Sequence, residues 1–337
     1  MKQNKLYWNS FQRRNANMFK VLENRNQKGK IDLTASIAHA VIEAIEENDK
    51  VVQLEADLAG ASKTNLIQKA YPDNYIQCGI AEANMVGVAC GMSSEGYIPF
   101  VHTFGPFATR RVFDQVFLSG AYAHNTINIY GSDPGFTVGP NGGTHTTWED
   151  VALMRTIPNA IVCDVCDEVQ AKWLVKEFAK MEGIHYFRGN RKAVRNVYEP
   201  GSTFEIGKGN IVRQGKDVLV ISAGQLVSDA LDAAEKLEKE GISVEVIDMF
   251  CIKPIDSELI LKEVQNKKAL VTFENHSITG GLSSAVAEVL MDAQVSIPFK
   301  RHGVNEQFGQ VGTPDFLQKE FKLTADDLVD SIQSILK

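Results

Sequence analysis

The chain has 337 residues, of which 44% are hydrophobic and 23% charged, and a formal net charge of −7 at pH 7; this is the make-up of a globular protein with room for two domains of about 150 residues each. The acidic balance argues against a general nucleic-acid or anionic-membrane surface. Lys2, Lys5, Arg13 and Arg14 enclose no apolar core of signal-peptide length, and no run approaches the roughly 18 apolar residues of a spanning helix, so a cytoplasmic protein is expected.

Residues 1–30 are polar, with scattered Leu6, Tyr7, Trp8, Phe11, Met18, Phe19 and Leu22, and read as an extension lying against a partner or its own domain. Over 32–47, Leu33, Ile37 and Val41 recur at helical spacing behind a plausible cap, Asp32. Strands are expected at 51–54, 75–77, 98–101, 127–130, 160–163 and 184–187, alternating with helices, which predicts a parallel, doubly wound sheet. The five cysteines fit a reducing compartment. Cys163 and Cys166 have redox or half-zinc spacing, but without a second pair they read as buried thiols at a strand end, and no metal ligands are expected.

From 188 to 208 the periodicity lapses, and a second alternating unit follows. Its strands are expected at 218–222, 244–247, 269–273 and 299–302, with helices around 226–240, 280–292 and 324–336. The expected fold is α/β: two doubly wound, mostly parallel sheet domains at 31–190 and 210–337, joined by a linker at 191–209.

The chemistry concentrates between Cys78 and His145. An apolar strand runs through Gly79-Ile80-Ala81 into Glu82, in the first turn of a helix of small residues. The helix dipole favours a carboxylate there, yet burial makes the charge costly unless it has a partner. The next strand delivers Thr103-Phe104-Gly105-Pro106-Phe107 into a helix bearing Arg110 and Arg111, and the one after it ends in a glycine-rich loop reaching Gly142-Gly143-Thr144-His145. Such loops at the carboxyl ends of strands are where open α/β sheets bind ligands.

These motifs, with Pro158-Asn159 and Glu274-Asn275-His276-Ser277-Ile278-Thr279-Gly280-Gly281-Leu282, fall in the order and spacing of the carboxyl-terminal half of transketolases. From about Ile31 onward the chain most resembles the kind encoded as two subunits. The resemblance implies a pyrimidine-binding domain followed by a transketolase C-terminal domain, with thiamine diphosphate between this chain and another. It places Glu82 on the pyrimidine N1′ nitrogen as catalytic carboxylate and cofactor ligand. A half-buried carboxyl suits that role, because desolvation raises its pKa and the neutral form can donate.

Phe104 and Phe107 match aromatics that pack on the pyrimidine, Asp57 a site-proximal aspartate, and His145 a histidine that contacts donor oxygens. Arg188 matches a phosphate-binding arginine, a role open also to Arg191 and Lys192, and Ser62 a phosphate-binding serine. Departures concern the substrate: Asn141 stands where an aspartate reads a sugar hydroxyl, Ser132 near a histidine position and Leu33 near an arginine position. They imply a non-standard donor, a modified sugar phosphate or a sulfonate. Arg110 sits where many transketolases have a tyrosine, and no role is assigned to it or to His102.

The family's magnesium signature, Gly-Asp-Gly, does not occur. Magnesium and diphosphate ligands are therefore expected on a partner, the N-terminal transketolase subunit, in an α2β2 assembly in which this chain also self-associates. The competing readings are the beta subunit of a 2-oxo acid dehydrogenase, a deoxyxylulose-phosphate synthase-like enzyme, and, in another class, a non-catalytic binding subunit. Gly143-Thr144-His145 favours transketolase over the first, and Glu82, Phe107 and His145 together argue against the last.

Overall fold

The structure, a computed structural model, describes residues 18–25 and 27–337. The extension expected at 1–30 therefore lies mostly outside the described residues.

The first half contributes β1 (Val51–Glu55), β2 (Tyr75–Gln77), β3 (Ile98–Phe104), β4 (Ile127–Ser132), β5 (Ile161–Asp164) and β6 (Ile184–Gly189). The second contributes β7 (Asn210–Arg213), β8 (Val218–Ser222), β9 (Val244–Asp248), β10 (Cys251–Lys253), β11 (Ala269–Ser277) and β12 (Phe299–Val304). The first sheet has the order β10-β5-β6-β4-β3-β1-β2 and the second β12-β11-β8-β9-β7. All pairings are parallel except β10 on β5 and β7 on β9. Two mostly parallel α/β layers result, as the alternation of strands and helices requires.

The strands read as continuous apolar runs because helices cover both faces. Alternate residues serve opposite sides: Phe100, Tyr130 and Phe187 join the core under the helix Leu33–Glu47, whereas Val101, Ile129 and Tyr186 join that under Glu82–Ser94. Asp32 occupies the cap position of the first helix but makes no side-chain capping bond; its carboxylate lies 3.5 Å from Lys192 instead.

β10 departs from the expected division of labour. It belongs by sequence to the second unit, yet it adds antiparallel to the first sheet with Cys251 opposite Cys163. The segment read as a linker is also held. Val21 and Lys28 form β-bridges with Tyr198 and Arg195, and the Phe19 ring meets Tyr198 edge-on at 5.6 Å.

Contacts between the two halves shape the glycine-rich loop after β4. Gly135 has φ 58°, and a side chain there would collide with the Asn275 amide, which accepts from the Phe136 N–H at 3.2 Å and donates to the Pro134 carbonyl at 2.9 Å. Glu274, next to it, accepts from the N–H groups of Leu282 and Ser283 at 2.7 and 2.9 Å and so caps the helix Leu282–Asp292. A Cβ on Gly281 would sit 2.3 Å from that carboxylate, so only glycine permits the approach. The carboxyl ends of β1, β3, β4 and β6 thereby present their loops on one held edge.

Candidate active site

Glu82 begins the helix Glu82–Ser94 and is 3% exposed. The tension between a buried carboxylate and its charge is resolved by Arg111, whose Nη1 lies 2.8 Å from both Glu82 oxygens. Arg111 sits in the short turn Arg110–Val112, its side chain 45% exposed. The guanidinium carbon stands 3.9 Å from the centroid of the Phe107 ring. Arg110 turns away to Glu149, Nε to Oε1 2.8 Å, in a half-exposed pair.

Three rings flank this group. Phe104, at the end of β3, meets Phe107 edge-on with centroids 6.2 Å apart. His145 lies 5.4 Å from Phe104 and 5.2 Å from Phe107, edge-on to both. Its Nδ1 is 2.9 Å from the Thr144 hydroxyl, which fixes the ring orientation and leaves Nε2 without that constraint. The structure thus brings Glu82, Phe104, Phe107 and His145 together.

Beneath Phe104, a buried polar chain crosses the carboxyl ends of β1, β3 and β4. Glu55 Oε1 is 2.9 Å from His102 Nδ1, and His102 Nε2 is 3.0 Å from Ser132 Oγ. Ser62 and Thr64 donate to Glu55 Oε2 at 3.0 and 2.6 Å. Burial pushes the Glu55 carboxyl up, but the His102 charge, its hydrogen bond and the two hydroxyls outweigh burial and hold it below the usual range. Ser62 and Ser132, expected as substrate ligands, are buried with their hydroxyls committed to this chain, so neither faces a ligand here.

Arg188 departs furthest from expectation. It is 1% exposed, and its guanidinium reaches Asp150 at 2.9 and 3.2 Å, Asp164 at 2.8 Å and the Asn275 carbonyl at 3.1 Å. Burial pushes both carboxyls up. For Asp150 the charges of Arg188 and His276 and the Tyr186 hydroxyl outweigh burial; Asp164 stays above its usual range. The side chain ties β6 to the second domain, and its burial among these partners closes it to a phosphate.

Arg191 stands at the edge instead, its guanidinium carbon 5.8 Å from the Phe104 centroid and its Nε 3.1 Å from Asp133. Burial pushes Asp133 up to about 6 against the opposing charge of Arg191. Asp57, exposed at the end of β1 with φ 62°, donates its N–H to Gln77 Oε1 at 2.8 Å, and Gly79 donates to the same oxygen at 3.0 Å. Asn141 is exposed four residues before His145, and Leu33 belongs to the core.

Sequence reasoning weighed Arg110 and missed Arg111, although Arg111 follows Phe107 by one helical turn. It also missed that Glu55 and His102, polar residues in otherwise apolar buried strands, are partners in register.

A buried carboxylate, paired aromatic rings and a loop histidine stand at the carboxyl edge of the first of two mostly parallel α/β domains, the layout of an α/β protein with a ligand site at its strand ends. Residues 29–197 match the family described as "Transketolase, pyrimidine binding domain", and residues 207–328 that described as "Transketolase, C-terminal domain". The chain belongs to the transketolase family, whose members use thiamine diphosphate.

It is 40% identical over 295 residues to the "6-deoxy-6-sulfo-D-fructose transketolase subunit SqwH" of Clostridium sp. (strain MSTE9), covering 88% of this chain and 91% of that one. It is 33% identical to the transketolase of Mus musculus over 293 residues, 86% of this chain but 46% of that one. A solved structure described as "Split gene transketolase, inactive beta4 tetramer" superposes with a TM-score of 0.83 at 40% identity, covering 91% of this chain and 99% of that one. Among the described residues, no helix is long and apolar enough to cross a membrane.

Proposed function

We propose that the chain is the pyrimidine-binding subunit of a two-chain transketolase that transfers a two-carbon ketol unit from a ketose to an aldose phosphate. The observation that carries this reading is Glu82, a buried carboxylate at a helix start with Phe107 and His145 beside it. The residues fit an aminopyrimidine: a flat group with N–H donors, the Arg111 guanidinium, already rests on Phe107 and bonds both Glu82 oxygens.

Thiamine diphosphate, when bound, supplies a nucleophilic carbon and an electron sink for cleavage beside the donor carbonyl. Glu82, 3% exposed at the helix start, meets the pyrimidine N1′ nitrogen and exchanges a proton with it. Phe104 and Phe107 offer apolar faces that orient the ring and exclude water. His145 Nε2, with Nδ1 tied to Thr144, meets the donor's oxygens, and Asn141 and the exposed Asp57 line the approach. Arg191 replaces Arg188 as the group that meets the donor's terminal anion, a planar fork suited to phosphate or sulfonate.

The diphosphate and magnesium ligands are assigned to a partner subunit, in an α2β2 assembly, a reading supported by the near end-to-end match to a relative named as a transketolase subunit and to a split-gene transketolase chain. The solved relative described as an inactive beta4 tetramer supports both self-association and the need for a partner. The relative named for 6-deoxy-6-sulfo-D-fructose supports a sulfonated donor.

Ketol transfer by this chain mixed with its partner tests the reading. Transfer is expected from the mixture and not from either chain alone, with a 6-sulfo ketose preferred over xylulose 5-phosphate. Turnover by this chain alone would refute the assembly, and preference for xylulose 5-phosphate would refute the donor.

A further inference from the structure

Arg111 stands where the proposed function puts the cofactor's ring. Its planar guanidinium lies 3.9 Å from the Phe107 centroid, and one nitrogen serves both Glu82 oxygens at 2.8 Å. An aminopyrimidine needs the same ring and the same carboxylate. Glu82 is too buried to offer a second side, because the residue is 3% exposed and the half-exposed Arg111 covers it. Phe104 and His145 already pack against Phe107 at 6.2 and 5.2 Å, which narrows the room for a further flat group.

The side chain is also placed to leave. Val112, its neighbour in the turn, is fully buried and anchors the backbone, while 45% of the Arg111 side chain faces solvent. The guanidinium can therefore swing outward by side-chain rotation alone. Without it, the empty chain would hold a buried carboxylate with no partner, which is costly.

We infer that Arg111 is an internal stand-in for the aminopyrimidine: it neutralises Glu82 and covers Phe107 while the ring is absent, and it swings to solvent when the ring binds. The inference rests on the proposed function. It makes Arg111 a residue that sets cofactor affinity by competition, with the exchange of guanidinium for pyrimidine built into loading. A half-exposed ion pair and a stacked cation are each modest, so together they lower cofactor affinity about three- to tenfold.

The test is calorimetric titration of thiamine diphosphate with magnesium into the reconstituted complex of the full chain and its partner. Arg111→Met is expected to bind about three- to tenfold tighter than wild type. Arg111→Lys, which keeps the charge but loses the planar fork, is expected to fall between them. The advantage of Arg111→Met should shrink as sodium chloride is raised, because salt weakens the wild-type pair while its screening of the diphosphate is common to both proteins. Thermal melting of both variants checks folding, and the milder lysine change keeps a readout if the methionine variant fails to assemble. Equal or weaker binding by Arg111→Met, or by Arg111→Lys where only it assembles, overturns the role of Arg111 and leaves the functional reading standing. If the wild-type complex binds no thiamine diphosphate, both fail.

Discussion

Arg188 and Asp150 form an ion pair with almost no exposure to solvent, Nη1 to Oδ1 2.9 Å, and the same guanidinium reaches Asn275 of the second domain. An arginine that resembles a substrate ligand in sequence is thus a joint between domains. Removing one partner of a buried pair leaves the other charge uncompensated, at a typical cost of about 3–5 kcal/mol. Arg188→Met should therefore lower the denaturation midpoint markedly. Where the variant is folded, its KM for donor should stay within about threefold of wild type, a change worth less than 1 kcal/mol. A large rise in KM with unchanged stability would restore Arg188 to the site.

Under the proposed function, Arg191 rather than Arg188 meets the anionic end of the donor. A charge-assisted hydrogen bond is worth roughly 1.5–3 kcal/mol, so Arg191→Ala should raise KM for a phosphorylated or sulfonated ketose about ten- to a hundredfold. An uncharged ketose should be little affected. Steady-state kinetics on the reconstituted pair with both donor types decides this.

Glu82→Ala should leave the fold intact and remove most ketol transfer. General acid–base contributions are typically ~10²- to 10⁴-fold, and the loss should lie at least in that range. The rate of hydrogen–deuterium exchange at the thiazolium carbon in the variant complex is the check; exchange at the wild-type rate would remove Glu82 from its role.

Asp248 makes stability depend on pH. It is fully buried, with the Tyr198 hydroxyl at 2.6 Å and Gln170 Nε2 at 2.8 Å, and burial pushes its carboxyl up to about 7 despite those bonds. A carboxyl whose folded pKa exceeds its unfolded value of about 3.9 stabilises fully below the lower value and loses that contribution as pH rises to the higher one. This contribution to stability should fall between about pH 4 and pH 7 and then level off. Asp248→Asn should flatten this dependence in melting curves recorded across the window.

The buried strands were legible because local pattern encodes them. Val218–Ser222 was read end to end, since a parallel strand covered on both faces must be apolar throughout. Glu82, Phe104, Phe107 and His145 were singled out together only through the resemblance of their motifs to transketolases, and folding brings Phe104, Phe107 and His145 within ring contact of one another. β7 and β10 were not legible. β10 has only three residues, and its pairing with β5 depends on a contact between Cys251 and Cys163 that nothing near either cysteine announces.

The sequence by itself determined two parallel α/β units, their order, and the edge on which the chemistry gathers, because periodicity and turn residues act over a few positions. Only the tertiary structure decided which charges are used. It matched Arg111 rather than Arg110 to Glu82, turned Arg188 inward onto Asp150 and Asp164, and enclosed Ser132 behind His102 and Glu55. Whether a charged side chain is a ligand or a strut depends on which opposite charge lies within about 4 Å after folding and how much water is left between them. Both are set by residues far apart in the chain.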